Sequence, residues 1–306
     1  MAKPWESVLT TSIVHFMAFP ECMVGEGPIA ETLTKLALDP FFGAAEITWI
    51  NDPKVRAEVR AIAKQSGLLL GYGAQPMLLS RKLSLNDLDD GGRKAAIDRI
   101  KEGLDQAAEM GCARLAVLAG PDPGDADRPR ALDLLVDSIG QLCTYGADLG
   151  VGMTLETFDR AIDKKSLIGP SDYAAMFAAR VREDHPDFGL MYDLSHMPLL
   201  SENAAQALGT LKDYLVHMHV GNAVCVEGRD AYGDQHPRFG YPGSANDVPE
   251  LTEFLETLFA IGYLKEGTPG PKPWVGIEVK PWGDEQSELI LAQTKRVWRK
   301  AWAHLP

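Results

Sequence analysis

The pattern of apolar and polar residues alternates between two periods along the whole chain. Short runs rich in β-branched residues are typical of buried strands, and the longer amphipathic stretches between them are typical of helices. Gly, Pro or Asp stands at most junctions. We predict strands at 8–15, 45–50, 68–73, 113–118, 152–156, 189–193, 215–220 and 275–279, and helices at 25–38, 54–65, 86–109, 128–149, 171–182, 202–214, 248–261 and 287–304.

Eight strand–helix units over 306 residues give about 38 residues per unit, a spacing typical of a (β/α)₈ barrel. An open doubly wound sheet is the alternative, but neither GxGxxG nor a P-loop motif follows the first predicted strand. We therefore predict an α/β fold with a single TIM-barrel domain over 1–306. In this fold the catalytic groups lie at the C-terminal ends of the strands.

Ionisable residues end the last four predicted strands. Glu156 lies in MTLET, Asp193 in LMYDLSH, His217 and His219 in VHMHVGN, and Glu278 in VGIEVKP. Each residue alone is equally compatible with a salt bridge or a buried structural role. Three carboxylates and an imidazole brought together would repel one another unless a cation joined them. We predict that one divalent ion is held by four of these residues, Glu156, Asp193, His219 and Glu278. His217 is predicted to lie deeper in the barrel as a hydrogen-bond partner.

The donor set indicates which metal this site prefers. Carboxylate oxygens with one imidazole favour Mn²⁺, and Mg²⁺, Co²⁺ and Zn²⁺ remain as alternatives.

The charge balance narrows the classes of partner. The chain has 30 Lys and Arg against 43 Asp and Glu, a net charge of −13, which disfavours nucleic acid and anionic membrane surfaces. No apolar run approaches the length of a membrane span, and the N-terminal segment resembles a first strand more than a signal peptide. Four scattered cysteines form no CxxC pair, as expected in a reducing compartment. We expect a cytoplasmic protein.

The strand-end motifs resemble a known superfamily. Glu156 in TLETFDR, Asp193 and His196 in DLSH, His219 in HMHVGN, the segment HPRFGYPGSAND, and Glu278 in GIEVKP are similar to motifs of the xylose-isomerase-like TIM barrels. This superfamily includes ketose 3-epimerases, hydroxypyruvate isomerase, inosose-processing enzymes and endonuclease IV. The resemblance covers nearly the whole chain and identifies a superfamily, not a substrate.

The resemblance implies a sugar isomerase or epimerase. In the ketose 3-epimerases, one divalent ion chelates the carbonyl and a neighbouring hydroxyl of the sugar, and two glutamates exchange the proton beside the carbonyl. Carried over, these glutamates are Glu156 and Glu278. Bases on opposite faces of the intermediate would epimerise it, whereas one base moving a proton between carbons would isomerise it. The partner would be a small sugar or keto-sugar.

Several residues are candidate substrate contacts. His196 falls where the family has its substrate-binding His, and Arg238 falls near a substrate-contacting Arg, with a surface loop position as the alternative. His236 is either a substrate-facing loop residue or the cap of a turn. The predicted strands also direct further side chains to the barrel mouth, namely His15, Glu46, Gln75 and Lys280. For Lys280 the alternative is pairing with a ligand carboxylate.

One position departs from the family pattern. The epimerases usually carry a second Glu six residues after the first ligand, and this chain has Ile162 there. Asp159, Arg160 or Lys164 could replace that contact, although a solvated loop is the ordinary role of such a charge run.

The departure keeps a lyase as the alternative function. Such an enzyme would cleave 3-keto-glycosides by enolisation and β-elimination, as in C-glycoside deglycosidation with a small partner subunit. An isomerase of free sugars should close its mouth, whereas a lyase should leave a groove.

Two further functional classes are considered as alternatives, and the last expectation concerns the assembly state. Asp234 and His236 resemble the DxH pair of endonuclease IV, but the third and fourth predicted strands lack its histidines and the acidic charge opposes DNA binding. A metal-free binding barrel is the non-catalytic alternative. We expect a homo-oligomer, with a subunit of a heteromer as the alternative.

Overall fold

The computed structural model describes residues 4–267 and 270–306. Within them, eight parallel strands form one closed barrel in chain order, with the last strand paired to the first. This confirms the predicted (β/α)₈ TIM barrel. The strands are β1 Thr10–Val14, β2 Ala44–Ile47, β3 Leu69–Gly73, β4 Arg114–Leu118, β5 Gly152–Glu156, β6 Gly189–Asp193, β7 Leu215–Gly221 and β8 Trp274–Glu278.

Helices follow the strands and cover the outside of the barrel. They are α1 His15–Ala18, α2 Ile29–Ala37, α3 Pro53–Ser66, α4 Gln75–Leu79, α5 Asp90–Met110, α6 Arg128–Leu149, α7 Ser171–Arg182, α8 His196–Leu199, α9 Ala204–Leu211, α10 Val248–Ala260 and α11 Ser287–His304. Three of them, α1, α4 and α8, are single turns that begin within three residues of the ends of β1, β3 and β6. Each begins with a predicted site residue.

Capping side chains set where the predicted helices begin. The helix predicted at 86–109 begins at Asp90, because the Asp89 side chain accepts a hydrogen bond from the backbone N of Gly92. The helix predicted at 202–214 begins at Ala204, because the Asn203 side chain accepts a hydrogen bond from the backbone N of Gln206, and it ends at Leu211.

The first predicted strand is wrong at its end. It was expected to run through His15, but β1 stops at Val14 and the chain turns at once into α1. An apolar run does not by itself distinguish a strand from a buried helical turn.

Small residues inside the barrel leave room for a buried carboxylate. A Cβ atom at Gly276 of β8 would lie 2.4 Å from Oε1 of Glu46 and 2.7 Å from Cδ2 of His219. Glycine at this position therefore allows Glu46 of β2 to reach across the barrel to the histidines of β7.

Within residues 4–267 and 270–306, no helix combines the length and apolar character needed to cross a bilayer.

Candidate metal centre and its cavity

The four predicted ligands meet at the C-terminal end of the barrel. Glu156 and Asp193 are the last residues of β5 and β6, Glu278 is the last of β8, and His219 lies in β7 directly opposite Asp193. All four side chains are buried. Each offers a ligand atom, and these atoms lie within 4.8 Å of one another. The structure therefore brings together the set that the sequence pattern proposed.

Three donor atoms of this group make no hydrogen bond within the described residues, although a carboxylate lies close to one of them. Among the described residues, Oε1 of Glu156, Oδ2 of Asp193 and Nδ1 of His219 are buried without a hydrogen bond. The last of these atoms lies 2.7 Å from Oε2 of Glu278 and 3.6 Å from Oε1 of Glu156. Burial raises the pKa of Asp193 above its usual value. Unpaired buried donors and acceptors are costly, so the residues present fit a divalent cation.

Glu46 holds His219 from the side facing away from this group. Its Oε2 lies 2.9 Å from Nε2 of His219, and its Oε1 lies 3.1 Å from Nε2 of His217 and accepts a 2.6 Å hydrogen bond from Ser12. Burial would raise the pKa of Glu46, but the two imidazoles lower it well below the usual value. A metal-binding imidazole is ordinarily fixed by a carboxylate on its other nitrogen. This contact leaves Nδ1 of His219 as the ligand atom.

Gln75 supports the first glutamate. It begins α4, and its Nε2 donates a 2.7 Å hydrogen bond to Oε2 of Glu156. Its Oε1 is buried and has no hydrogen-bond partner among the described residues. Gln75 therefore both orients Glu156 and presents an acceptor beside it.

A second group adjoins the first through Asp193. It combines Asp193 with His196 and His236, and it too could hold a metal. Oδ1 of Asp234 lies 3.1 Å from Nε2 of His196 and 2.8 Å from Nε2 of His236. Burial alone would lower the pKa of His196, but the Asp234 carboxylate raises it to about 10. Nδ1 of the same ring lies 2.7 Å from the carbonyl oxygen of Thr157.

The segment after β5 is not a solvated loop, so that expectation is wrong. The fully buried Asp159 carboxylate accepts hydrogen bonds from the backbone N of Ile162, Asp163 and Lys164 at 2.6 to 2.8 Å. The resulting turn places Nζ of Lys164 2.9 Å from Oδ2 of Asp234. Arg160 instead stacks over Tyr173 and donates to the carbonyl oxygen of Leu167, away from the metal candidates.

A cavity of about 390 Å³ opens over the candidate metal centre. Its ionisable lining includes Lys164, Asp234, His236 and Lys280 beside the glutamates. The apolar lining residues from the end of β1 and from the connections after β1, β2 and β3, which we call the apolar wall, are Val14, Phe16, Met17, Met23, Val24, Trp49, Pro76 and Leu79, and Phe158 after β5 is a further apolar lining residue.

Comparison with known proteins agrees with this architecture. The family model for the xylose isomerase-like TIM barrel matches residues 41–300. The chain belongs to this family. Searching the curated proteins yields no match.

Solved structures show how widely the fold of this xylose isomerase-like barrel is shared. A D-psicose 3-epimerase from Clostridium cellulolyticum has a TM-score of 0.67 and 22% identity, covering 96% of each chain. A D-tagatose 3-epimerase-like protein has a TM-score of 0.71 and 16% identity, covering 96% of this chain and 97% of its own. A 3-keto-D-glucoside 4-epimerase from E. coli has a TM-score of 0.65 and 18% identity, over 95% and 99% of the two chains.

Within the family barrel, the predicted substrate contacts separate into two sets. Gln75, His236 and Lys280 line the cavity, and Nζ of Lys280 donates a 3.2 Å hydrogen bond to Oε1 of Gln235. His196 is fully buried beneath the ring of Phe158 and lines no part of the cavity. Lys280 was alternatively expected to pair with a ligand carboxylate. Among the described residues, no carboxylate oxygen of a candidate ligand lies within 4 Å of its Nζ.

Two of the predicted substrate contacts need correction, and Glu46 lies at the mouth as predicted but is already engaged. His15 does not face the mouth, because α1 turns its ring toward α2, where Nε2 lies 2.8 Å from Oγ1 of Thr32. Arg238 lies outside the cavity lining, and its Nε donates a 2.9 Å hydrogen bond to Glu285. Glu46 borders the cavity, but both of its oxygens are already engaged with side chains of β1 and β7.

Sequence reasoning missed the apolar wall. Its signal was present in HFMAFPECMVG, an unusually apolar segment directly after the first strand. Connections ordinarily run over the protein surface, so an apolar one needs cover: Phe19 and Cys22 of this segment are buried in the core, whereas Phe16 and Met17 line the cavity.

Proposed function

We propose that the protein is a divalent-metal-dependent sugar isomerase or epimerase that removes a proton next to the carbonyl of a ketose or related keto-sugar. The observation that carries this proposal is the placement of Glu156 and Glu278. Both glutamates line the cavity and both belong to the four-residue group with unpaired donor atoms. Mn²⁺ suits a donor set of three carboxylates and one imidazole.

The chain's own residues supply the acid–base chemistry. When bound, a divalent ion stabilises the negative charge that develops on the carbonyl oxygen as the neighbouring proton leaves. Gln75 holds Glu156 through Oε2, which leaves Oε1 of Glu156 for the other candidate metal ligands. Oε1 of Glu278 lies 3.5 Å from Nε2 of His236, while its Oε2 faces His219. One glutamate would take the proton and the other would return it from its own side of the substrate.

The open cavity supports a second candidate function. A lyase acting on 3-keto-glycosides would begin with the same proton abstraction but then expel a leaving group from the neighbouring carbon. The apolar wall extends to Val24 and Leu79, which are 56% and 46% exposed at the rim. Such a rim leaves space for a leaving group larger than the hydroxyl of a free sugar.

The first experiment follows deuterium at the carbon next to the carbonyl. The protein loaded with Mn²⁺ should release this label from a ketose or keto-glucoside into water, and EDTA should abolish the release. We expect Glu156→Gln and Glu278→Gln each to slow it by about 10² to 10⁴-fold, the usual contribution of a general acid or base. Glu253→Gln, on the exposed face of α10, is the matched control.

Two outcomes separate the candidate functions. Release of label with an epimeric or isomeric sugar supports the isomerase, whereas release with a free aglycone supports the lyase. Retention of label during turnover, without transfer within the substrate, would contradict proton abstraction altogether. The homo-oligomeric state and the cytoplasmic location stay predictions from the sequence.

A further inference from the structure

The apolar wall is set apart from the general core of the barrel. Val14, Phe16 and Met17 form a buried cluster of their own, against which Met23 packs. All four residues line the cavity. The cluster therefore forms a surface of the cavity, where it meets whatever the cavity holds.

Close packing fixes this wall beside the proposed reacting groups. A Cβ atom on Gly73 would lie 2.9 Å from Cζ of Phe16 and 3.0 Å from Oε1 of Gln75. Phe16 therefore lies directly against the place where Gln75 holds Glu156. Phe16 and Glu156 both line the cavity, so a molecule that fills it contacts both.

The outer part of the wall is equally well defined. The backbone N of Asn51 donates a 3.0 Å hydrogen bond to the carbonyl oxygen of Gly25. Gly25 has a φ of +77°, and a Cβ atom there would lie 2.3 Å from Nε1 of Trp49. These contacts hold the segment that carries Met23 and Val24 tightly against Trp49.

The rim of the wall remains open to solvent. Val24 is 56% exposed and Leu79 is 46% exposed, and both line the cavity. Exposed apolar surface beside a binding cavity is stabilised when an apolar group of a ligand covers it. The two residues thus extend the wall outward from Phe16.

A free sugar matches this surface only in part, because its C–H groups can pack against the rings of Phe16 and Trp49 but its hydroxyl groups need polar partners. Every carbon of an open ketose except the carbonyl carbon bears a hydroxyl group, and a hydroxyl that loses water must find another hydrogen-bond partner. The aliphatic and phenyl side chains of the wall supply none, so the indole N–H of Trp49 and the hydroxyl of the neighbouring Ser80 are the polar groups beside them. Further polar partners in the lining are Lys164, Gln235, His236 and Lys280.

We propose that the substrate is a keto-sugar carrying an apolar or aromatic substituent, with the sugar at the metal candidates and the substituent against the apolar wall. This inference rests on the proposed function, because it places the keto-sugar at Glu156 and Glu278. It adds the chemical class of the group attached to the sugar. It applies equally to an epimerase of glycosides and to a lyase that releases the substituent.

The test compares two probes that differ only in the substituent. Phenyl and methyl 3-keto-β-D-glucopyranoside would be titrated calorimetrically into the Mn²⁺-loaded protein, and loss of deuterium next to the carbonyl would be followed for both. We expect the phenyl probe to bind about tenfold or more tightly than the methyl probe, because its ring covers the wall. The double variant Val24→Ser with Leu79→Ser should reduce this preference to about threefold or less.

A matched control removes two other exposed leucines. Leu38 and Leu289 are 79% and 63% exposed, and neither lines the cavity. The variant Leu38→Ser with Leu289→Ser should retain the full preference for the phenyl probe. Circular dichroism of both double variants checks that they are folded.

Three outcomes would overturn the inference. The first is equal affinity for the two probes, and the second is a phenyl preference that survives the change at Val24 and Leu79. The third is an oligomer that dissociates on that change, measured by light scattering, since a second copy of the chain would then cover the wall. Absence of deuterium loss from both probes contradicts the proposed function instead, whereas deuterium loss without phenyl preference contradicts the substituent alone.

Discussion

The two halves of the barrel mouth differ in the kind of side chain that predominates in each. After β1, β2 and β3 the chain presents the apolar wall, whereas β5 to β8 end in the candidate metal ligands. The same strand-to-loop geometry serves both halves, so the difference arises from the residue types that follow each strand. One half is suited to hold a reacting carbonyl group, and the other half is suited to select the part of the substrate that does not react.

Two histidines show how the halves differ in practice. His15 and His219 both lie close to the end of an apolar strand and are both buried. His219 has carboxylates on each side, from Glu46 and Glu278, and these raise its pKa well above the usual value despite burial. His15 has no such neighbour, and burial lowers its pKa to about 4. The same residue type therefore serves as a candidate ligand in one half and as a neutral core residue in the other.

The largest expected effect tests the ionisable half with two neighbouring histidines. His219→Gln removes a candidate ligand, and we expect Mn²⁺ affinity and deuterium release to fall by about 10³-fold or more, beyond the 10 to 100-fold typical of a supporting partner. His217→Gln removes only a partner of Glu46 and should cost about tenfold or less. Competition with a fluorescent chelator measures both affinities. Equal losses for the two variants would mean that His219 is not distinguished as a ligand.

The second effect tests whether His15 of the other half is a neutral core residue. Its pKa of about 4 in the folded protein lies below the value of about 6.5 expected in the unfolded chain. Between these pH values the unfolded chain binds a proton that the folded protein does not, so the free energy of unfolding falls as the pH falls. From pH 7 to pH 5 we expect His15 to contribute a loss of about 2 kcal/mol.

Urea unfolding of the wild type and His15→Gln at both pH values measures this contribution. Glutamine retains a hydrogen-bonding group for Thr32 but does not titrate, and other groups cancel in the difference between the proteins. The wild type should therefore lose more stability than the variant on acidification. Parallel losses would show that His15 is protonated in the folded protein at pH 5, contrary to a buried neutral ring.

The sequence predicted the ionisable half better than the apolar half, for a physical reason. Glu156, Asp193 and Glu278 each end a strand, so one local pattern sets both the strand and the direction of the ligand. The apolar segment after β1 satisfies strand and helix periodicity alike, which is why the turn at His15 was missed. The contact of Lys164 with Asp234 joins residues 70 positions apart, and no local pattern records such a pairing.

The smallest expected effect concerns Glu46. This residue lies in the half that carries the apolar wall, but its carboxylate contacts histidines of the other half. It lies in β2, yet its carboxylate reaches both histidines of β7. In Glu46→Gln the side-chain oxygen can still accept from one imidazole, but the amide nitrogen cannot accept from the other. We expect Mn²⁺ affinity to fall by about tenfold, near the lower end for loss of a supporting carboxylate, with the phenyl preference unchanged. A change in phenyl preference as large as the change in metal affinity would show that the two halves are not separable, because a residue that orients His219 would then also shape the apolar wall.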